Sequence, residues 1–220
     1  MSFHNKVIWI TGASSGIGKA LAQELSYQNA LLIISARDKN SLEMVRELCK
    51  NPKNVWIIPL HLEKHSTFSE ITQRAINVFG RIDILVNNGG ISQRSLATET
   101  QISVDKKIME INYTGTVALT KTILPHFIDN QKGQIVVTTS IVGLIGSPLR
   151  STYAASKHAL HGFFDSLRAE LHDYNIAVTL ICPGFVSTNI SMNALTGDGT
   201  SQQKMDVATA NGISPERFAK

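Results

Sequence analysis

Residues 6–25 read "KVIWITGASSGIGKALAQEL", and this stretch decides the fold. Val7 to Ile10 is a continuous apolar run, which marks a strand covered on both faces rather than one half-exposed to water. "GKALAQELSYQ" then spaces its apolar residues as a helix does. Between the two, Thr11–Gly18 carries Gly12, Gly16 and Gly18 in a GxxxGxG pattern. In a strand–loop–helix setting, such glycines let backbone approach a ligand closely. The helix start then offers unpaired N–H groups and a positive dipole end to a pyrophosphate. Gly12, Ser14, Ser15, Gly16, Ile17 and Gly18 are therefore candidate dinucleotide-binding residues.

The same alternation continues outward. "ALLIISA", "VWIIPLHL", "IDILVNN", "GQIVVTTS" and "IAVTLICPG" read as strands. "SLEMVRELCK", "HSTFSEITQRAINVFG", "SVDKKIMEINYTGTVALTKTILPHFIDNQ" and "TYAASKHALHGFFDSLRAELHDY" read as the helices between them. Regular βαβα alternation with solid Val/Ile/Leu runs implies one parallel sheet with right-handed crossovers. The fold class is α/β, a single doubly wound parallel sheet of Rossmann type, in one domain over 1–220. Asn29 is placed for a left-handed helix stop, Ser66 for a helix N-cap, and Pro125 for a kink or end of the long fourth helix. Residues 189–220 are polar and rich in Gly, Ser, Thr and Asn. They read as a mobile substrate-loop segment ending in a helix capped by Ser214 and begun by Pro215.

Composition excludes several classes. The chain has 220 residues, two cysteines and a net charge of +4. Cys49 and Cys182 form no CxxC and stand near no histidine cluster, against a disulfide framework or a metal site. Cys182, in an apolar run, is expected to be buried. The leader "MSFHN" is too short for a signal peptide and no apolar run reaches a membrane span, so a cytoplasmic, reducing compartment is the expectation. The basic residues are scattered, which disfavours nucleic acid as a partner.

The end of the second strand, "SARD", bears on cofactor choice. An acid gripping a ribose 2′-OH normally stands there, but Ala36 takes that place and Arg37 follows. Arg37 suits a 2′-phosphate, helped by Ser14 or Ser15, which favours NADP(H). Asp38, two residues on, keeps NAD(H) as the alternative.

The remaining chemistry gathers at the C-terminal strand ends, where open α/β sheets bind ligands. "NNGG" (87–90) ends the fourth strand, Ser140 the fifth, and "CPGFVST" the sixth; "YAASK" sets Tyr153 and Lys157 four apart on one helix face. With TGxxxGIG at 11–18, Asn112 in "EINYTG", and Pro183–Gly184, these features occur in the order seen in the short-chain dehydrogenase/reductase family, which this sequence resembles over nearly its whole length. The resemblance implies that Tyr153 is the catalytic acid/base and that Lys157 favours its phenolate and bonds the nicotinamide ribose. It implies that Ser140 binds the substrate oxygen and that Asn112 holds a relay water. Cofactor contacts are implied for His61, Leu62, Asn88, Gly89, Pro183, Gly184, Val186 and Thr188, with Asn87 buttressing the sheet edge and Thr11 ordering the loop.

The sequence departs from the family pattern at Gly89, where Ala is common, and at His61, where an Asp usually meets adenine. A further helix and strand are expected after "PERFAK". The substrate mouth is assigned to Ser92, Gln93, Arg94, Ile141, Val142, Leu144, Ile145, Leu149, Phe185 and residues 189–212. Its apolar members suggest a lipophilic carbonyl or secondary alcohol, while Arg94 could meet an anion. The family also implies a homodimer or homotetramer. The alternative reading is a non-catalytic dinucleotide-binding sensor or scaffold, which would be expected to lose one of Asn112, Ser140, Tyr153 or Lys157.

Overall fold

A computed structural model describes residues 2–220; Met1, the first residue of the short leader, lies outside the described residues. The elements follow as β1 (Val7–Thr11), α1 (Gly16–Tyr27), β2 (Leu31–Ser35), α2 (Lys39–Glu47), β3 (Val55–Ile57), α3 (Phe68–Phe79) and β4 (Ile84–Asn87). After these come α4 (Ile102–Met109), α5 (Gly115–Asp129), β5 (Gly133–Thr138), α6 (Ser151–Glu170), β6 (Ile176–Ile181), α7 (Val207–Ala210) and α8 (Pro215–Ala219). The strands form one sheet in the order β3-β2-β1-β4-β5-β6, every pair parallel.

Because side chains alternate along a strand, each central strand feeds two cores. Val7, Trp9, Ile33, Leu85, Ile135 and Val137 point to one face and pack with Phe68, Phe127 and Phe164 from α3, α5 and α6. Ile8, Ile10, Leu32, Ile34 and Val86 point to the other and meet Ala22, Leu25, Leu42 and Val45 from α1 and α2. The Trp9 indole N–H donates to Ser35 Oγ at 2.9 Å, so the largest core side chain leaves no polar orphan. The strand order reverses between β1 and β4, which opens the crevice that holds the site.

Several local expectations are met. Asn29 has φ 60°, and Ser214 Oγ accepts from Arg217 N at 3.2 Å ahead of Pro215. Others are corrected. The third strand is regular only over 55–57, although Ile58 N and Leu60 N still donate to Ile34 O and Ala36 O; Pro59, whose position faces the free edge, is tolerated between them. Ser66 caps nothing: residues 65–67 form a tight turn before α3, closed by the Thr67 hydroxyl donating to Lys64 O at 2.7 Å. Pro125 does not end α5, which runs on to Asp129. Lys121 and Pro125 are both exposed, so the carbonyl deprived of its partner can face water. The long fourth helix is broken instead at Glu110–Thr114, a π-helical turn.

Cys182 is exposed, because it follows β6, which has a neighbour on one side only in the described sheet. Residues 189–212 are no free loop. Ser191 and Ala194 are fully buried, Leu195 exchanges backbone bonds with Ser92 and Arg94, and α7 closes the segment. No helix among the described residues is long and apolar enough to cross a membrane.

Candidate active site

A cavity of about 590 Å³ lies over the C-terminal ends of the strands, bounded by the glycine loop, the turn after β4, the Ser140 turn, α6 and the chain after β6. Gly12 and Gly16 have φ of 64° and 53°, the left-handed region that side-chain-bearing residues avoid. A Cβ on Gly18 would stand 2.3 Å from Gly12 O and 2.7 Å from Asn88 Nδ2. Gly18 therefore supports the loop from below, outside the cavity wall formed by Gly12, Ser14, Ser15, Gly16 and Ile17. Ser15 caps α1 without a side-chain bond, and no acid occupies the first turn. The helix thus keeps free amides and an unopposed dipole, which fits the pyrophosphate of a dinucleotide. Gly18→Ala is expected to cost about 1–3 kcal/mol of stability by overpacking, read as a lower Tm. An unchanged Tm would mean that the loop is looser than its contacts indicate.

The loop is tied to the turn after β4. The Thr11 hydroxyl oxygen accepts from the Asn88 and Gly89 amides, both at 3.0 Å. The Asn88 side-chain amide donates to Thr11 O and Gly12 O at 3.2 and 3.3 Å. At Gly89, where Ala is common in the family, an added Cβ would lie 2.9 Å from Leu62 Cδ1, a side-chain tip that can turn aside.

Ala36 and Arg37 lie in the cavity wall just after β2. Asp38 is there too, but its carboxylate caps α2, accepting from Asn40 N at 3.1 Å and Ser41 N at 3.2 Å and from the Ser41 hydroxyl. These bonds, the Ser41 hydroxyl foremost, hold its pKa below the ordinary value. Arg37 is exposed. Leu60, Leu62 and Glu63 line the cavity wall, while His61, expected to make a cofactor contact, stands outside it.

Tyr153 and Lys157 sit one turn apart on the inward face of α6, with 8% and 5% of their surfaces exposed. Tyr153 and Ser140 line the same wall of the cavity. Burial pushes the phenol's pKa up; the Ser140 hydroxyl and the positive charges of Arg150 and Arg94 pull it back. Lys157 Nζ donates to Thr138 O at 2.8 Å and lies 5.8 Å from the Tyr153 ring centre. Burial lowers its pKa to about 8. Ser140 also caps the short turn after β5, its Oγ accepting from Val142 N at 3.4 Å.

Asn112 stands behind this group in the π-helical turn, 1% exposed. Its Oδ1 accepts from Ile91 N at 2.8 Å, and its Nδ2 donates to Ile91 O at 2.9 Å and Ser156 Oγ at 3.0 Å. The side chain is thus a brace between the turn after β4 and α6. The chain after β6 closes the far side through Pro183, Gly184, Val186 and Thr188. Ile141 N donates to Pro183 O at 3.0 Å, and a Cβ on Gly16 would meet Thr188 Cγ2 at 3.0 Å.

The mouth differs from its sequence reading. Ser92, Arg94, Ile141, Val142, Ile145 and Phe185 line it; Gln93, Leu144 and Leu149 do not. Gln93 is fully buried, and its Oε1 accepts from the amides of Thr152 at 3.0 Å and Tyr153 at 3.3 Å, capping α6 from a distant loop. Arg94 is paired with Asp206. Arg150, three residues before the tyrosine, was not singled out from the sequence, although a charge beside the motif was visible. Among the described residues no group of acids, histidines and cysteines could hold a metal.

Comparison with known proteins adds to this geometry. Residues 6–198 match the family model for short chain dehydrogenase. The human protein dehydrogenase/reductase SDR family member 7 is 48% identical over 200 residues, covering 88% of this chain and 59% of that protein. The chain therefore spans about three fifths of that relative's length. A solved tyrosine-to-phenylalanine variant of ElxO with NADPH bound is 31% identical, with a TM-score of 0.80 over 84% of this chain and 75% of that one. A short chain dehydrogenase/reductase from Burkholderia phymatum in complex with NAD superposes with a TM-score of 0.87 over 100% of this chain and 84% of its own, at 22% identity, and bears on the fold.

Proposed function

The chain belongs to the short-chain dehydrogenase family, and on that premise we propose that it moves hydride between a nicotinamide dinucleotide and a carbonyl or secondary alcohol, with Tyr153 as acid/base. The observation that carries this reading is that Tyr153, Ser140 and the buried Lys157 line the same cavity as the glycine loop. Purified protein with NADPH and a panel of hydrophobic ketones and aldehydes, followed at the nicotinamide absorbance, tests it. Cofactor binding without turnover of any carbonyl would favour a sensor or scaffold instead.

The amides at the start of α1 would hold the pyrophosphate, and Leu62, Asn88, Gly89 and the Pro183–Thr188 chain would flank the rest of the dinucleotide. Once bound, the dinucleotide supplies or accepts the hydride. In reduction, the Ser140 hydroxyl donates to the substrate oxygen and Tyr153 passes its proton to that oxygen as negative charge develops. Burial keeps Tyr153 in its acid form at neutral pH. Ser140, Arg150, Arg94 and Lys157 then share the charge of the phenolate left behind. Oxidation runs the same transfers backwards.

With its pKa near 8, Lys157 is mostly protonated at pH 7 and loses its charge above pH 8. Reductive kcat/KM is therefore expected to bend downward near pH 8 and fall about tenfold per unit beyond it. A profile flat to pH 10 would contradict the role given to the ammonium.

NADP(H) is the proposed preference. Arg37 lines the cavity, while the rival carboxylate of Asp38 is committed to capping α2. Wild type is expected to favour NADPH in kcat/KM, and Arg37→Asp to shift the ratio toward NADH by about ten- to a hundredfold. A wild type that prefers NADH would sink this assignment. A lipophilic substrate fits Ile141, Ile145 and Phe185, which are 51%, 69% and 49% exposed around the mouth. A dimer or tetramer belongs to the same reading, supported by the small, exposed Ala155, Gly162 and Ser166 of α6, which leave room for a second helix.

A further inference from the structure

Three charged side chains meet at the mouth of the cavity: Arg94, Arg150 and Asp206. Arg94 is 8% exposed and four of its five donors are used. Nε and Nη2 donate to the Asp206 carboxylate, and Nη1 donates to Ser92 Oγ at 3.1 Å and Gln93 O at 2.6 Å. Asp206 further accepts from Gln202 Nε2 at 3.3 Å. Arg150 is different. Its side chain is 16% exposed, yet its one polar contact among the described residues is Nη2 to Asp206 Oδ2 at 3.4 Å.

A guanidinium has five N–H donors, so four of Arg150's have no protein partner. None of its nitrogens is sealed off as a buried orphan, and the residue lines the cavity with Tyr153. The free donors therefore open on the space where substrate must enter. One carboxylate between two guanidiniums leaves one positive charge uncompensated. Phe185 flanks it, its ring centre 5.7 Å from the Arg150 guanidinium carbon. Holding residues 189–212 in place does not explain Arg150, because Arg94 already grips Asp206 with two donors.

We propose that Arg150 determines specificity by receiving an anionic group of the substrate, a carboxylate or a phosphate, near the reacting carbonyl. The planar fork of an arginine matches either group with paired hydrogen bonds, and a mostly buried cation with unused donors gains most when they are filled. Together with the apolar rim, this describes an amphiphile whose charged end lies inward and whose hydrocarbon points out past Ile141 and Ile145. The inference rests on the hydride-transfer reading above, and the test separates the two.

Saturating NADPH is used throughout, with 3-oxododecanoate and its methyl ester as substrates. Wild type is expected to favour the acid in kcat/KM by about ten- to a hundredfold, the worth of one charged hydrogen-bonded contact. Arg150→Met should bring that ratio close to one: any loss of kcat from weaker support of the phenolate is common to acid and ester, while KM rises for the acid alone, and Arg150→Lys should restore part of the ratio. In parallel, dodecanoate, dodecyl phosphate and dodecanol are compared by their effect on the Tm of the NADPH complex. The anions should raise Tm more than the alcohol in wild type and lose that advantage in Arg150→Met; the stronger of the two names the source of the charge. A wild-type ratio of one, or an anion effect that survives Arg150→Met, overturns the inference even where the ester is reduced. Arg150-dependent anion binding without reduction of either ketone would uphold the anion site and defeat the hydride-transfer reading.

Discussion

Tyr153→Phe is expected to lower kcat for carbonyl reduction by about a hundred- to ten-thousandfold, the usual worth of a positioned general acid. Its effect on NADPH affinity should stay within about twofold. The substitution removes one oxygen from a side chain that is 8% exposed and leaves the ring in place, so packing around α6 is retained. Ser140 keeps Val142 N as a donor in the variant, which holds its hydroxyl in the cavity. Steady-state reduction together with a NADPH titration reads both halves. A variant with more than about a tenth of wild-type kcat would mean that another group delivers the proton.

Lys157→Met is expected to cost at least about a hundredfold in kcat/KM, to raise KM for the dinucleotide, and to erase the bend near pH 8. Met matches the length of the lysine stem, so the space in α6 stays filled. The charge that would stabilise the phenolate is gone. Two effects on stability oppose each other: the bond from Nζ to Thr138 O at 2.8 Å is lost, while a buried ammonium no longer has to be desolvated. Activity and its pH profile, rather than Tm, are therefore the readouts. If the bend near pH 8 persists in the variant, it belongs to another group and the role of Lys157 must be reassigned.

Much of the fold could be read from single short windows. Continuous apolar runs such as Val7–Ile10 define buried strands, the three glycines mark a tight βα turn, and Asn29 and Ser214 act within one turn of their helix ends. Two of the failures share a physical cause, which is contact between residues far apart in the chain. The Gln93 cap on α6 bridges 59 and 60 positions, and the Arg94–Asp206 pair bridges 112. Neither spacing leaves a local trace. The π-helical turn at 110–114 has no periodic signature, and it moves Asn112 toward Ile91 and Ser156. Pro125 misled because a helix tolerates a proline whose freed carbonyl faces solvent. Cys182 misled because an apolar run does not show which strand lies at the edge of a sheet. Asp38 shows the converse: the sequence left two cofactor readings open, and its capping bonds to Asn40 and Ser41 engage the competing carboxylate.

Deuterium transfer offers the shortest route to the central chemistry. NADPH labelled with deuterium at C4 of the nicotinamide is incubated with a hydrophobic ketone and either wild type or Tyr153→Phe, and the alcohol is analysed by mass spectrometry. Wild type should place the label on the carbinol carbon, and the variant should form labelled alcohol at least about a hundredfold more slowly. Equal labelling by both proteins, or none from wild type that has bound NADPH, would contradict the assignment of Tyr153 as the acid beside the nicotinamide.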